Sequence, residues 1–305
     1  MILELNTDRL PLLHRGKVRD SFRIDDAQRL LVVTDRISAF DLKLQPAIPA
    51  KGAILNTLSA WWFARTAHIV ANHVVSVPDP QAMVVREAQP IRIEVVVRGY
   101  AAGSLWRAYE AGRREYGGAQ LLEGMRKHDM LPEPIMTPTT KEESDRETTR
   151  DEALALGLVS SAQYAQMERV ATLLYTEGAR IAKEAGLLLA DTKYEFGVSN
   201  GKLILIDEIH TPDSSRYWDA VDYARDRASA ESFDKDVVRR WMLAHKDNGA
   251  YRTQLPARIV DETAARYRML FERLTGTAAP VARAHAEHDL WRNLEAAGLV
   301  KEQHV

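Results

Sequence analysis

The segment from Leu187 to His210 constrains this chain more than any other. Two strand-like runs, Leu-Leu-Leu-Ala-Asp-Thr-Lys-Tyr-Glu-Phe and Lys-Leu-Ile-Leu-Ile-Asp-Glu, flank Val-Ser-Asn-Gly, which is a hairpin signal. Register decides the chemistry, because a slip of one residue sends every side chain to the opposite face. With Asn200 and Gly201 as a two-residue turn, Ser199 faces Lys202, and Asp207 falls opposite Tyr194, away from Glu195. With a three-residue loop of Ser199, Asn200 and Gly201, Val198 faces Lys202, and Asp191, Lys193, Glu195 and Asp207 share one face. Leu188, Ala190, Tyr194, Phe196, Ile204 and Ile206 then share the other, apolar face. The second register separates polar from apolar and is the expected one. Three carboxylates and a lysine on one sheet face suit a magnesium–nucleotide site. A solvated face with cross-strand ion pairs is the alternative and, from the hairpin alone, the commoner one.

A chain of 305 residues can bury a core of two lobes or domains. Runs at Leu30 to Thr34, Met83 to Arg86 and Ile91 to Val97 make the first hundred or so residues strand-rich. They are interrupted by a helix over 54–68, in which Trp61, Trp62 and Phe63 read as core. From Gly117 to Asp151, Pro132, Pro134 and Pro138 argue for a long ordered loop or lobe connection. A helix is predicted over 162–185, stopped at Gly186, and the C-terminal quarter reads as mainly helical. There Val260, Ala264, Tyr267, Leu270, Phe271 and Leu274 follow helical spacing, and Gly276 ends it.

The formal net charge of −2 gives no footprint for a nucleic-acid or membrane-surface binder, so any bound anion must be met by a local cluster. No cysteine is present, which excludes disulfides and thiolate metal sites and leaves carboxylates or histidines as metal ligands. The first residues lack a signal peptide's basic start and apolar run, and no apolar stretch approaches the roughly 20 residues of a membrane span. A cytoplasmic protein is expected.

Three segments carry anion-binding groups. The run Ile91 to Val97 delivers Arg98 into Gly-Tyr-Ala-Ala-Gly-Ser before a helical-looking Leu-Trp-Arg-Ala-Tyr-Glu. Ser104 as N-cap, with free N–H groups beside Arg98, would make a phosphate or carboxylate cradle, or simply an ordinary capped helix start. Thr211 to Trp218 brings Asp213, Ser215 and Arg216 to the same end as Asp207, where arginine suits a bidentate grip on phosphate. A turn with Arg216 packed on Trp218 is the alternative. Near the N-terminus, His14-Arg-Gly-Lys-Val-Arg-Asp matches neither a P-loop nor a GxGxxG loop. By itself it reads as a surface turn, as does Asp35-Arg-Ile-Ser-Ala-Phe-Asp41.

Taken in order, the segments Gly16–Asp20, Asp35–Asp41, Val97–Ser104, Thr137–Lys141, Asp191–Gly197 and Ile206–Trp218 resemble those of the SAICAR synthetase family. The resemblance implies an α+β fold, with a kinase-small-lobe-like antiparallel N-terminal lobe over 1–95. An ATP-grasp-like α+β domain with C-terminal helices would cover 96–305, the nucleotide being held between the two. It implies condensation of CAIR (carboxyaminoimidazole ribonucleotide) with L-aspartate, using ATP and Mg2+. It places Gly16 and Lys17 over the ATP phosphates, Glu195 and Asp207 on the metal, and Lys193 near the nucleotide. Arg98, Ser104 and Arg216 would grip the ribonucleotide, with Asp41, Lys51, Asp213 and Ser215 beside the substrates. Asp191 is the candidate for removing the amine proton. After Lys141 the chain departs from the family's Gly-x-His-Asp-Glu pattern, and Asp145 is the acidic residue expected to stand in. A homo-oligomer through the C-terminal helices is left open. A kinase would share the acidic metal site, but no His-Arg-Asp catalytic loop or Asp-Phe-Gly is found. A non-catalytic nucleotide sensor would not need Lys17, Glu195 and Asp207 together.

Overall fold

In the computed structural model, which describes residues 1–141, 146–228, 230 and 232–301, the chain separates into two compact α+β units with antiparallel sheets. The units do not follow a linear division. Residues 233–305 group with 1–61 and 73–87, while 62–72 join 88–232. A boundary between residues 95 and 96 would cut the continuous strand Gln89–Tyr100, whose backbone is paired on both sides.

The first unit is built on a five-stranded sheet. Its order is Leu12–Arg15, Arg19–Arg23, Gln28–Val33, Ala82–Arg86, Val74–Asp79. Alternation along these strands sends Phe22, Leu30 and Val84 into a core closed by Leu290 and Leu294 of the helix Ala286–Ala296. A second core joins the short hairpin of Ile37–Ala39 and Leu42–Leu44 to the helices Asp236–Ala244 and Ala257–Thr275. The latter buries Val260, Tyr267, Leu270, Phe271 and Leu274, the spacing predicted from sequence, and ends at Gly276 with φ 69°. In the helix Lys51–Thr66, Trp62 and Phe63 are buried as expected, while Trp61 is only half-buried and is not part of the core.

The second unit carries a six-stranded sheet, in the order Arg146–Glu147, Met130–Thr140, Gln89–Tyr100, Leu187–Ser199, Lys202–Ile206. Ser215–Asp219 pairs with the first half of Leu187–Ser199. The helix Ser161–Glu184 packs on it, opened by a Ser160–Gln163 capping box and followed by Gly186 at φ 71°.

Met130–Thr140 corrects the expectation of a loop across 117–151. Its prolines are tolerated for a local reason. Pairing with Gln89–Tyr100 lapses between Met130 and Ile135, where Pro132 and Pro134 lie, and only Thr139 and Thr140 pair on the outer side.

The hairpin corrects the expected register. Ser199 pairs with Lys202 and Glu195 with Ile206, so the turn has two residues, with Asn200 at φ 51° and Gly201 at φ 72°. Both central residues are left-handed, the combination whose twist matches that of the flanking strands and which Asn-Gly favours. Ile204 and Ile206 therefore share the face of Glu195 rather than the opposite one. Strand parity ends at Ile206, however, and Asp207 takes φ 67°, so the rule that would have sent it to the other face no longer applies. Its charge acts on Lys193 and Lys141, beside Glu195.

Candidate active site

Two charged clusters lie on one face of the second unit's sheet, because strand pairing puts Arg98 opposite Asp191 and Glu94 opposite Glu195. Asp191 and Glu195 are four residues apart on one strand, which separates the clusters by about 13 Å.

The first cluster is an arginine pair on a shared carboxylate. Arg216 and Arg98 both donate to Asp191 Oδ2, Arg98 Nη1 at 3.4 Å. Arg98 also donates through Nε to Thr137 Oγ1 at 3.0 Å and through Nη2 to Ser104 Oγ at 3.1 Å. Burial pulls the Arg98 pKa below its ordinary value, with Asp191 opposing. Two guanidiniums against one carboxylate leave net positive charge, with side chains held at fixed orientation. The start of the helix Gly103–Glu110 contributes by what it lacks: a Cβ on Gly103, whose φ is 58°, would sit 2.8 Å from Arg216 Nη1. Ser104 is not the N-cap. Ala102 holds that position without a side-chain bond, and Ser104 lies inside the helix with its hydroxyl turned to Arg98. Arg216 turns to Asp191, not Trp218, and Trp218 packs on Tyr100 and Tyr223. Ser215 is buried and hydrogen-bonded to Thr192 at 2.8 Å, which anchors the strand that delivers Arg216. Asp213 is half-buried in the preceding turn, its N–H donating to Thr211 Oγ1.

The second cluster interleaves acids and lysines. Lys193 Nζ donates to Glu94 Oε1 at 2.8 Å and Glu195 Oε1 at 2.9 Å, and Lys141 holds Glu195 Oε2. Burial opposes ionisation of Glu195, but Lys193 and Lys141 outweigh it and hold its pKa well below the ordinary carboxylate value. Glu94 goes the other way. Burial pushes it up to about 8, with the charge of Glu195 adding and Lys193 opposing. Lys193 is held charged far above its ordinary range, since burial is overcome by Glu195, Glu94 and Asp207. Among the described residues no group of three acids or histidines forms a metal cage. Two carboxylates are nonetheless the usual protein share for magnesium, which takes its remaining ligands from nucleotide phosphate and water.

The first unit holds Gly16, Lys17, Asp41 and Lys51. Lys17 pairs with Asp41, and both are exposed; the tight turn at Gly16 is closed by its N–H to Arg19 O at 2.8 Å. Arg36 braces that turn by donating to the carbonyls of Gly16 and Lys17 and to both Asp20 oxygens. Lys51 is buried at the start of its helix, where its charge acts on Asp35, which accepts from the N–H groups of Ile2 and Gly52. Asp145 lies outside the described residues.

Sequence reasoning missed Glu94, Lys141, Thr137 and Thr192 as members of the site. Glu94 left a signal, the one carboxylate in the strand run Ile91 to Val97, and Lys141 closes a segment already singled out.

A family model described as SAICAR synthetase matches residues 12–256. Among relatives, a phosphoribosylaminoimidazole-succinocarboxamide synthase of Cytophaga hutchinsonii is 42% identical over 271 residues, 86% of this chain and 87% of that protein. One from Legionella pneumophila is 42% identical over 275 residues, again 86% and 87%. Among solved structures, a SAICAR synthase from Saccharomyces cerevisiae complexed with SAICAR aligns with TM-score 0.81 and 35% identity, covering 91% of this chain and 99% of that one. A SAICAR synthetase in complex with ADP aligns with TM-score 0.69 and 26% identity, covering 88% and 99%.

Proposed function

Because this chain belongs to the SAICAR synthetase family, we propose that the charged face formed by Gln89–Tyr100 and Leu187–Ser199 carries the family's reaction. The chain is an ATP-dependent ligase that condenses CAIR with L-aspartate to give SAICAR, ADP and phosphate in de novo purine synthesis. One observation carries the residue assignment. The same sheet face holds a net-positive arginine pair and, two turns of the pleat away, an acid–lysine cluster, so an anionic substrate and a metal–nucleotide each have a chemically matched partner.

In this reading Arg98, Ser104 and Arg216 hold the ribonucleotide's phosphate and carboxylate. Asp191 orients the two guanidiniums, and because its Oδ2 is taken by both, that role fits it better than the proton-accepting one. Asp213 and Ser215 line the approach to Arg216. Glu195 and Asp207 would hold magnesium, which when bound neutralises charge on phosphate oxygens. Lys193 faces the transferring phosphoryl group, with Glu195 and Glu94 fixing its ammonium. A carboxylate acylates an amine only after its oxygen becomes a good leaving group, and phosphorylation makes it one. The aspartate amine then displaces phosphate at the acyl carbon, so catalysis is positioning and charge neutralisation with no protein nucleophile. In the first unit, the braced Gly16–Lys17 turn serves the nucleotide phosphates, and Asp41 and Lys51 serve substrate binding. The partners are phosphorylated metabolites and an amino acid, which supports a cytoplasmic setting; no helix among the described residues is long and apolar enough to cross a membrane.

The test is ADP release by the purified protein with magnesium, ATP, CAIR and aspartate, followed by omission of each. Release that requires every component, with SAICAR formed in equal amount, is expected. ATP hydrolysis indifferent to CAIR and aspartate would refute the reading.

A further inference from the structure

The proposed chemistry gives no task to His210, a fully buried titratable side chain of the second unit. His210 has left-handed backbone (φ 53°), burial lowers its pKa to about 3, and its Nδ1 has no hydrogen-bond partner. We propose that His210 is a positioning residue that fixes the reach of the Asp207 carboxylate by tying the 207–214 connection to the underside of the strand bearing Lys193 and Glu195.

The connection needs such a tie. Between Ile206 and Ser215 the chain passes two non-glycine left-handed residues, Asp207 at φ 67° and His210, and such conformations persist only where the surroundings over-determine them. At Asp207 the torsion has a consequence, since it replaces strand parity in aiming the carboxylate. The ring of His210 supplies the anchor. Its Nε2 is hydrogen-bonded to Tyr194 Oη at 2.5 Å, and its plane stands edge-on to Trp62, centroids 4.6 Å apart. The helix Ser161–Glu184 makes room through Gly178, where a Cβ would collide with the imidazole. The backbone is held as well, with Tyr217 Oη donating to His210 O at 2.8 Å. Tyr194 sits between Lys193 and Glu195 in sequence, so the strand that presents those two on one face grips His210 on the other. The neutral ring retains this bond at any working pH.

The same geometry says what His210 does not hold. Arg216 and Ser215 have their own ties to the sheet, through Asp191 and through Thr192, so loosening His210 should spare the arginine pair.

This inference rests on the reading that Asp207 serves the metal–nucleotide, and the experiment separates the two. Magnesium–ATP and CAIR affinities are measured by calorimetry on the full chain for wild type, Asp207→Asn, Tyr194→Phe, His210→Phe, His210→Gln and the double variant Tyr194→Phe/His210→Phe. Tyr194→Phe and His210→Phe are each expected to weaken magnesium–ATP binding roughly tenfold, the weight of one buried hydrogen bond, and to leave CAIR binding within about twofold. The double variant should bind no worse than the weaker single one. His210→Gln, whose amide reaches toward Tyr194, should recover most of the affinity. Parallel loss of both ligands, additive single effects, or unchanged nucleotide binding in Tyr194→Phe would each overturn the positioning role. If Asp207→Asn itself leaves magnesium–ATP binding intact, the site assignment fails first and the inference with it. If Asp207→Asn weakens binding while Tyr194→Phe does not, only the inference fails.

Discussion

Replacing Glu94 by glutamine keeps its shape and removes its titration, which turns the paired carboxylates into a measurable pH effect. In the native protein Glu94 holds its proton up to about 8, against an ordinary value of 4.5, because it is buried beside the ionised Glu195. A group with a raised folded pKa contributes stability that is fully present below its unfolded value and is lost as pH rises through the folded one. Between pH 5.5 and 7.5 the unfolded chain has released this proton and the native one has not. Stability from this group should therefore fall by about 1.4 kcal/mol per pH unit, or about 3 kcal/mol across the window. Glu94→Gln has no proton to lose there. The assay is urea unfolding of both proteins across that range, without nucleotide or magnesium, since either would repopulate the ionised forms. The stability of Glu94→Gln relative to wild type should rise by that amount from pH 5.5 to 7.5. Parallel profiles would refute the argument that burial and Glu195 keep Glu94 protonated.

Glu195→Gln and Asp207→Asn are each expected to abolish turnover while retaining a native circular dichroism spectrum; activity near wild type in either would sink its assignment to the metal. Gly103→Ala puts a methyl against Arg216 at a left-handed position. CAIR affinity should fall about tenfold and stability by about 1 kcal/mol, and an unchanged CAIR titration would show that the guanidinium does not need that notch. Arg216→Lys keeps the charge and loses the planar fork, so the KM for CAIR should rise while the KM for ATP stays within about twofold. Tyr175→Phe removes a buried donor to Leu189 O at 2.8 Å and should cost about 1 kcal/mol in urea unfolding with no change in kcat.

Elements with local causes were legible from the residues. The helix Ser161–Glu184 and the helix Ala257–Thr275 follow from apolar spacing and glycine stops, and the strands of the first unit from alternation. The strand Met130–Thr140 was hidden by its prolines, whose tolerance depends on which of its edges is left unpaired. The register of the hairpin was misjudged because separation of polar from apolar outweighed the turn chemistry of Asn-Gly, which prevailed. Asp207 still reached Lys193, through a backbone torsion that no periodicity encodes. Within the site, Arg98, Arg216 and Asp191 stood out individually, but their sharing of one oxygen depends on pairing between strands 93 positions apart. Glu94 and Lys141 were obscured for the same reason, since Glu94 meets Lys193 across 99 positions and Lys141 meets Glu195 across 54.

The grouping of residues 233–305 with the N-terminal segment bears on the order in which this chain can fold as it is made. Every residue of the second unit has been synthesised once Ser232 is added, so its sheet can close while the remaining chain is still to come. Ile2, Leu5 and Leu30 are made before the second unit, yet the side chains that complete their core, Leu290, Trp291 and Leu294, are made after it. Those early apolar residues must stay uncovered, or be sheltered by a chaperone, while the whole of the second unit is synthesised. A ribosome stalled just before the helix Ala286–Ala296 should therefore display a protease-resistant second unit and a protease-sensitive N-terminal segment.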